Sequence, residues 1–234
     1  MKKVFIGVGH GGSDPGACGN GFKEKDLNLQ IALACASVLS SHGVSVLMSR
    51  DKDENDTLKE EIKECNAYNP DLAVDIHNNA GGGDGAEAFY TINGGVGKTL
   101  ANNILCELVN IGQNSRGAKT KKSTWGKDYY GFIRQTKAPA VIVECAFIDN
   151  ATDIKFINTV EKQNACGVAI AKGILKTLGI TYKENKPEAE PESKPETQPL
   201  YKIQLGAYKV KANAENKLAE VKKAGFTDAF IVKV

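Results

Sequence analysis

Residues 3–39 read KVFIGVGHGGSDPGACGNGFKEKDLNLQIALACASVL. The stretch opens on a short apolar, β-branched run, which predicts a buried strand. It continues through a loop holding Gly11, Gly12, Pro15, Gly16, Gly19 and Gly21. Apolar residues then recur at Leu27, Ile31, Ala34, Val38 and Leu39, a helical spacing, with Asp26 as the expected N-cap and His42-Gly43 as the stop. Strand, glycine loop and helix in that order form the repeating half-unit of an α/β layered fold.

Outward from this unit the alternation persists. Residues 44–48, 72–76, 86–92 and 141–143 are predicted strands, and 56–68, 98–111 and 152–178 are predicted helices, the last stretch one helix or two. The expected fold is an α/β three-layer sandwich with a mainly parallel or mixed sheet flanked by helices, spanning residues 1–180. Composition then changes. Residues 181–199 place Pro187, Pro191, Pro195 and Pro199 among glutamates and lysines, a linker that cannot bury a core. Residues 200–234 read as a small C-terminal β-α-β unit: strand 201–208, helix 212–224, strand 229–234.

The totals exclude several classes. With 41% hydrophobic and 25% charged residues, the chain can build its core by burial alone. A net charge of +2 is too mild for a nucleic-acid surface, and no apolar run is long enough for a membrane span. Only residues 4–9 separate Met1-Lys2-Lys3 from the glycine loop, too few for a signal peptide, so synthesis in the cytoplasm is expected. Six cysteines without a CxxC spacing read as reduced thiols, with Cys35, Cys106 and Cys166 in helix-like apolar stretches.

Chemistry gathers at strand ends. His10 follows the first strand, His77 and Glu144 end two others, and Glu24 lies in the glycine loop beside His10. Two imidazoles and a carboxylate leave one position of a tetrahedral zinc open, with a second carboxylate free to act as base. By spacing alone a packed or surface role for each histidine stands on equal terms.

The segments 9–32, SRDKDE (49–54), DIHNNAGGGDGAE (75–87), RGAK (116–119) and APAVIVECAFIDNATD (138–153) resemble, in order, the type-3 family of zinc-dependent N-acetylmuramoyl-L-alanine amidases. The resemblance implies one zinc per chain on His10, Glu24 and His77. Glu144 then takes a proton from the water that attacks the amide between N-acetylmuramic acid and L-alanine in peptidoglycan. Asn79, Arg116 and Trp125 are the expected substrate contacts. The family usually carries Ser where this chain has Asp75, which is expected at the surface or as a support behind the site. Cys18 is a weaker candidate ligand in the same loop, and Arg50 with Asp51 are expected to pair or shape the rim.

Residues 201–234 resemble one half of the sporulation-related (SPOR) repeat, which implies peptidoglycan binding and raises pairing of two chains into a homodimer through this unit. A wall hydrolase without a leader is expected to act after phage lysis, as an endolysin, or after mother-cell lysis, as an autolysin. Two other readings compete. Residues 93–99, NGGVGKT, follow a strand and open a helix like an ATP-binding loop, although the signature positions are Ile92 and Asn93. A non-catalytic wall-binding protein is the other, and retention of all four site residues argues against it. Gly7-Val8-Gly9-His10-Gly11-Gly12 fits a dinucleotide fingerprint, but Pro15 and Gly16 prevent the helix that motif needs.

Overall fold

The computed structural model describes residues 1–184, 208, 210–226 and 229–231. In chain order the elements are β1 (Lys3–Val8), β2 (Cys18–Gly19), β3 (Phe22–Lys23), α1 (Glu24–Ser41), β4 (Ser45–Met48), α2 (Leu58–Tyr68), β5 (Leu72–Asn79), β6 (Ala86–Tyr90), α3 (Gly95–Asn110), β7 (Ser115–Lys119), α4 (Gly131–Gln135), β8 (Ala140–Phe147), a 3-10 turn (Asp153–Phe156), α5 (Val160–Leu178) and α6 (Lys211–Lys223).

Six strands form one sheet in the order β4-β1-β5-β8-β6-β7. β4, β1, β5 and β8 run parallel, β6 is antiparallel to β8, and β7 follows β6. The chain steps from β1 outward to β4, then returns past β1 to β5. Right-handed crossovers in opposite directions put α1 and α2 on opposite faces and open a crevice at the carboxyl ends of β1 and β5.

Period-two alternation sorts the side chains. Val4, Ile6, Val8, Val74, Ile76, Val141 and Val143 join the larger core with α1, α3 and α5. Phe5, Ala73, Phe89 and Ile142 face the other way, toward Ile62 and Cys65 of α2 and Phe132 and Ile133 of α4. The sheet therefore lies between two helical layers, as expected, and the mixed alternative is the one adopted.

The differences from the sequence reading have local causes. Helix α1 starts at Glu24, two residues before the expected cap, and Lys23 holds the N-cap position with extended backbone. Asp26 instead stands in the first turn, where a carboxylate still suits the helix dipole. Strand β7 (SRGAK) and the one-turn α4 carry too few apolar residues to show a period. His42 does end α1, with Nδ1 2.7 Å from the Val38 carbonyl.

All six cysteines are free; Cys35 and Cys166 are buried as expected, whereas Cys106 is exposed. No described helix is long and apolar enough to cross a membrane. The chain divides into two units, Met1–Glu184 and Asn185–Val234. In the second, α6 coincides with the expected helix within one residue at each end. The linker from residue 185 onward, strand 201–208 apart from Tyr208, and 232–234 of the last strand lie outside the described residues.

Candidate metal centre

β1 ends at Val8, and the Gly9 amide hands its hydrogen bond to Ile76 of β5 at 3.1 Å. His10 then takes φ 63°, a left-handed conformation uncommon outside glycine. Its Nε2 lies 3.1 Å from Glu24 Oε2. Glu24 opens α1, is 3% exposed, and is fixed by backbone donors: Ala17 N–H to Oε2 at 2.9 Å and Asn78 N–H to Oε1 at 3.1 Å. His77, near the end of β5, brings Nδ1 within 3.0 Å of Glu24 Oε1.

Two glycines make room. A Cβ on Gly9 would lie 2.2 Å from the His77 ring, and one on Gly16 would lie 2.6 Å from both Glu24 Oε2 and the His10 ring. Arg50 is buried at 2% exposure rather than set on the rim, and Asp51 is exposed. The guanidinium of Arg50 donates to the carbonyls of Val8, Gly9, Lys25 and Lys52, tying the carboxyl end of β1 to the start of α1. A buried cation whose donors all find carbonyls is how a loop of this kind holds its shape.

His10, Glu24 and His77 each present a donor atom within 4.8 Å of the others, the one such group among the described residues. The donor set fits zinc: two imidazole nitrogens, one carboxylate oxygen and a fourth direction left open. The field of the site fits a cation as well. Glu24 is held well below the usual carboxylate range because hydrogen bonds from both histidines outweigh its burial. The His10 pKa is raised, first by its hydrogen bond to Glu24. At His77 burial works downward, but the Asp75 charge and bonds to Asp75 and Glu24 carry it well above the ordinary value. Cys18 is exposed and outside this group.

Of the two places expected for Asp75, the structure adopts the support behind the site. Two residues from His77 on one strand, it shares that residue's face and is 3% exposed, so it is not a surface group. Its Oδ2 lies 3.2 Å from His77 Nε2, and on the other histidine Asp14 Oδ2 lies 2.8 Å from Nδ1. Each metal-facing imidazole thus has a carboxylate on its far nitrogen. The sequence reading missed Asp14, although its i+4 spacing from His10 was a usable signal.

Glu144 completes the row. Strand register sets His77 beside Glu144 on β8, and Glu144 beside Glu87 on β6, so three site carboxyl or imidazole groups cross three adjacent strands on one face. Glu144 Oε2 is buried with no hydrogen-bond partner among the described residues, and burial pushes its carboxyl up to about 7. Glu87 stays ionised below its ordinary value, since Lys119 and Arg116 outweigh its desolvation.

Two of the three expected substrate contacts converge on Glu87: Asn79 Nδ2 at 3.0 Å and Arg116 Nε at 2.8 Å, with the guanidinium also 5.0 Å from the Phe147 ring centre. Trp125 is 76% exposed in the loop between β7 and α4. Tyr130, at the end of that loop, packs on Phe89 and has its phenol raised to about 12 by burial and then by the Glu144 charge. The 93–99 loop follows β6, which runs against β8, and so opens at the other end of the sheet. Just before that loop, Asp128 accepts from Ile92 N–H and Thr91 Oγ1.

Comparison with known proteins identifies the family and the fold. Residues 4–176 match the family described as N-acetylmuramoyl-L-alanine amidase, and residues 197–234 match the SPOR domain. The chain is similar to the sporulation-specific N-acetylmuramoyl-L-alanine amidase of Bacillus subtilis, at 34% identity over 100% of this chain and 86% of that protein. Among solved structures it is similar to Cwp6 from Clostridium difficile, with TM-score 0.74 and 42% identity over 76% of this chain and 29% of that longer one. It is also similar to the catalytic domain of CwlV, an N-acetylmuramoyl-L-alanine amidase from Bacillus (Paenibacillus) polymyxa var. colistinus. There the TM-score is 0.70 and the identity 29%, over 77% of this chain and 100% of that one.

Proposed function

The chain belongs to the N-acetylmuramoyl-L-alanine amidase family, and from that premise we propose that His10, Glu24 and His77 hold one zinc ion while Glu144 serves as general base. Its reaction is hydrolysis of the amide between N-acetylmuramic acid and the L-alanine of peptidoglycan. The observation that carries the assignment of roles is the convergence of three metal-donor atoms, with Glu144 next to His77 in strand register and its Oε2 buried without a hydrogen-bond partner among the described residues.

Zinc in this place supplies a Lewis acid for the scissile carbonyl and lowers the pKa of water. Glu144 accepts the proton of the attacking water, the work of a positioned general base. It then returns the proton to the L-alanine nitrogen as the C–N bond breaks. Arg116, braced by Glu87 and Phe147, and Asn79 take the stem peptide. Trp125 offers an exposed ring for a sugar face. The SPOR match over residues 197–234 supports retention on the wall by the second unit.

The test is hydrolysis of purified peptidoglycan, scoring new L-alanine amino groups against new reducing ends, with and without chelator. Amino groups alone, lost on chelation and restored by zinc, are expected. Release that survives exhaustive metal removal would sink the zinc assignment, and release of reducing ends alone would sink the bond assignment.

A further inference from the structure

Behind His77, away from the metal-facing side, lies a pocket of buried carboxyl groups that the hydrolysis does not use. Gly7 of β1 pairs in register with Asp75 of β5. A Cβ on Gly7 would lie 1.9 Å from Glu61 Oε1 and 2.8 Å from Asp75 Oδ1, so both carboxyls crowd the space that glycine leaves open. Glu61 comes from α2 on the same side of the sheet and is 7% exposed. Glu61 Oε1 and Asp75 Oδ1 are both buried without a hydrogen-bond partner among the described residues. Only Asp75 Oδ2 is engaged, with His77 Nε2 at 3.2 Å.

An imidazole that binds a metal through one nitrogen must carry its proton on the other, and an acceptor there holds both the tautomer and the ring plane. Among the described residues, Asp75 is the one acceptor at His77 Nε2. Resting on the metal-site reading above, we infer that Asp75 is a positioning residue. Its carboxylate accepts a hydrogen bond from His77 Nε2–H and keeps Nδ1 aimed at the site of Glu24 and His10, while Glu61 closes the carboxylate's other side. The glycines of the 7–9 segment, which mimic a dinucleotide fingerprint, then have a structural purpose. Gly9 clears the His77 ring and Gly7 clears the carboxyl pair behind it. Burial, and next the neighbouring Asp75, raises the Glu61 carboxyl well above its ordinary value.

The experiment uses the full chain stripped of metal, with zinc itself as probe, titrated at neutral pH in competition with a chromogenic chelator. Asp75→Asn is expected to weaken zinc binding roughly 10- to 100-fold, the usual cost of losing a partner behind a metal-binding histidine. Metal-free thermal unfolding should stay near wild type. Imidazole nitrogen spectra of the zinc-loaded proteins should place the His77 proton on Nε2 in wild type, with that signature weakened in the variant. Glu61→Gln, which keeps the shape and a polar group beside Asp75, should bind zinc much as wild type does, and Glu61→Leu should bind it more weakly. Unchanged zinc affinity in a folded Asp75→Asn protein overturns the inference while leaving the metal site standing. Loss of zinc binding only together with loss of the fold would assign Asp75 a purely structural role and overturn it as well. A wild-type protein that binds no zinc would remove the reading underneath it.

Discussion

At Glu144 burial and catalysis pull in the same direction. The site keeps one carboxylate oxygen out of water and unpartnered, which raises its pKa from 4.5 to about 7. Replacement by Gln keeps the shape and removes the base, so Glu144→Gln should lose on the order of 10²- to 10⁴-fold in kcat. Zinc stoichiometry, read by metal analysis, should be unchanged; retained activity in a zinc-loaded variant would exclude Glu144 as the base.

The same shift has a sign in stability. A carboxyl raised in the folded state favours folding below the unfolded pKa, and that advantage is lost as pH rises from 4.5 through about 7. Metal-free Glu144→Gln should therefore be more stable than metal-free wild type above neutrality, by up to roughly 3 kcal/mol, and the gap should close toward pH 4.5. Equal unfolding midpoints at both pH values would contradict the shift. His10, His77 and Glu144 stood out at strand ends with Glu24 in the loop beside them, but their roles became legible only through the family resemblance. Glu61 was not legible, because an acidic residue inside an acidic helix looks solvated, and only the strand–helix packing buries it.

Helix packing in the larger core is set by missing side chains. α5 packs on both α1 and α3. A Cβ on Gly167 would lie 2.3 Å from the Ile31 carbonyl of α1, and one on Gly173 would lie 2.6 Å from the Ile104 backbone of α3. Alanine in a helix is intrinsically better than glycine by about 0.5–1 kcal/mol. Forcing two backbones apart costs about 1–3 kcal/mol, so overpacking should win. Gly167→Ala is expected to lower Tm by a few degrees, the response of a domain of this size to about 1 kcal/mol. A raised Tm would show that the helices separate without cost. From sequence these glycines look like weak points in a helical period, since the partner helix that requires them is distant in the chain. For the same reason the long elements were readable and β7 was not. Its exposed and half-exposed residues have no period of their own, and pairing with β6 makes it a strand.

The two units invite separate tests. Every residue of the proposed site and both hydrophobic clusters fall within Met1–Glu184. A domain with its own core and site should fold and act without its neighbour. Residues 197–234 match the SPOR domain and include helix α6. A chain ending at residue 184 should therefore keep the wild-type kcat and KM on a soluble muropeptide and unfold as cooperatively as the full chain. On insoluble wall the full chain should pellet with its substrate and the shortened one should remain more in solution, with slower hydrolysis at low enzyme concentration. Equal pelleting would remove wall binding from the second unit. A fall in kcat on the soluble substrate would mean that residues after 184 reach the catalytic unit, and the division of labour between the two would have to be redrawn.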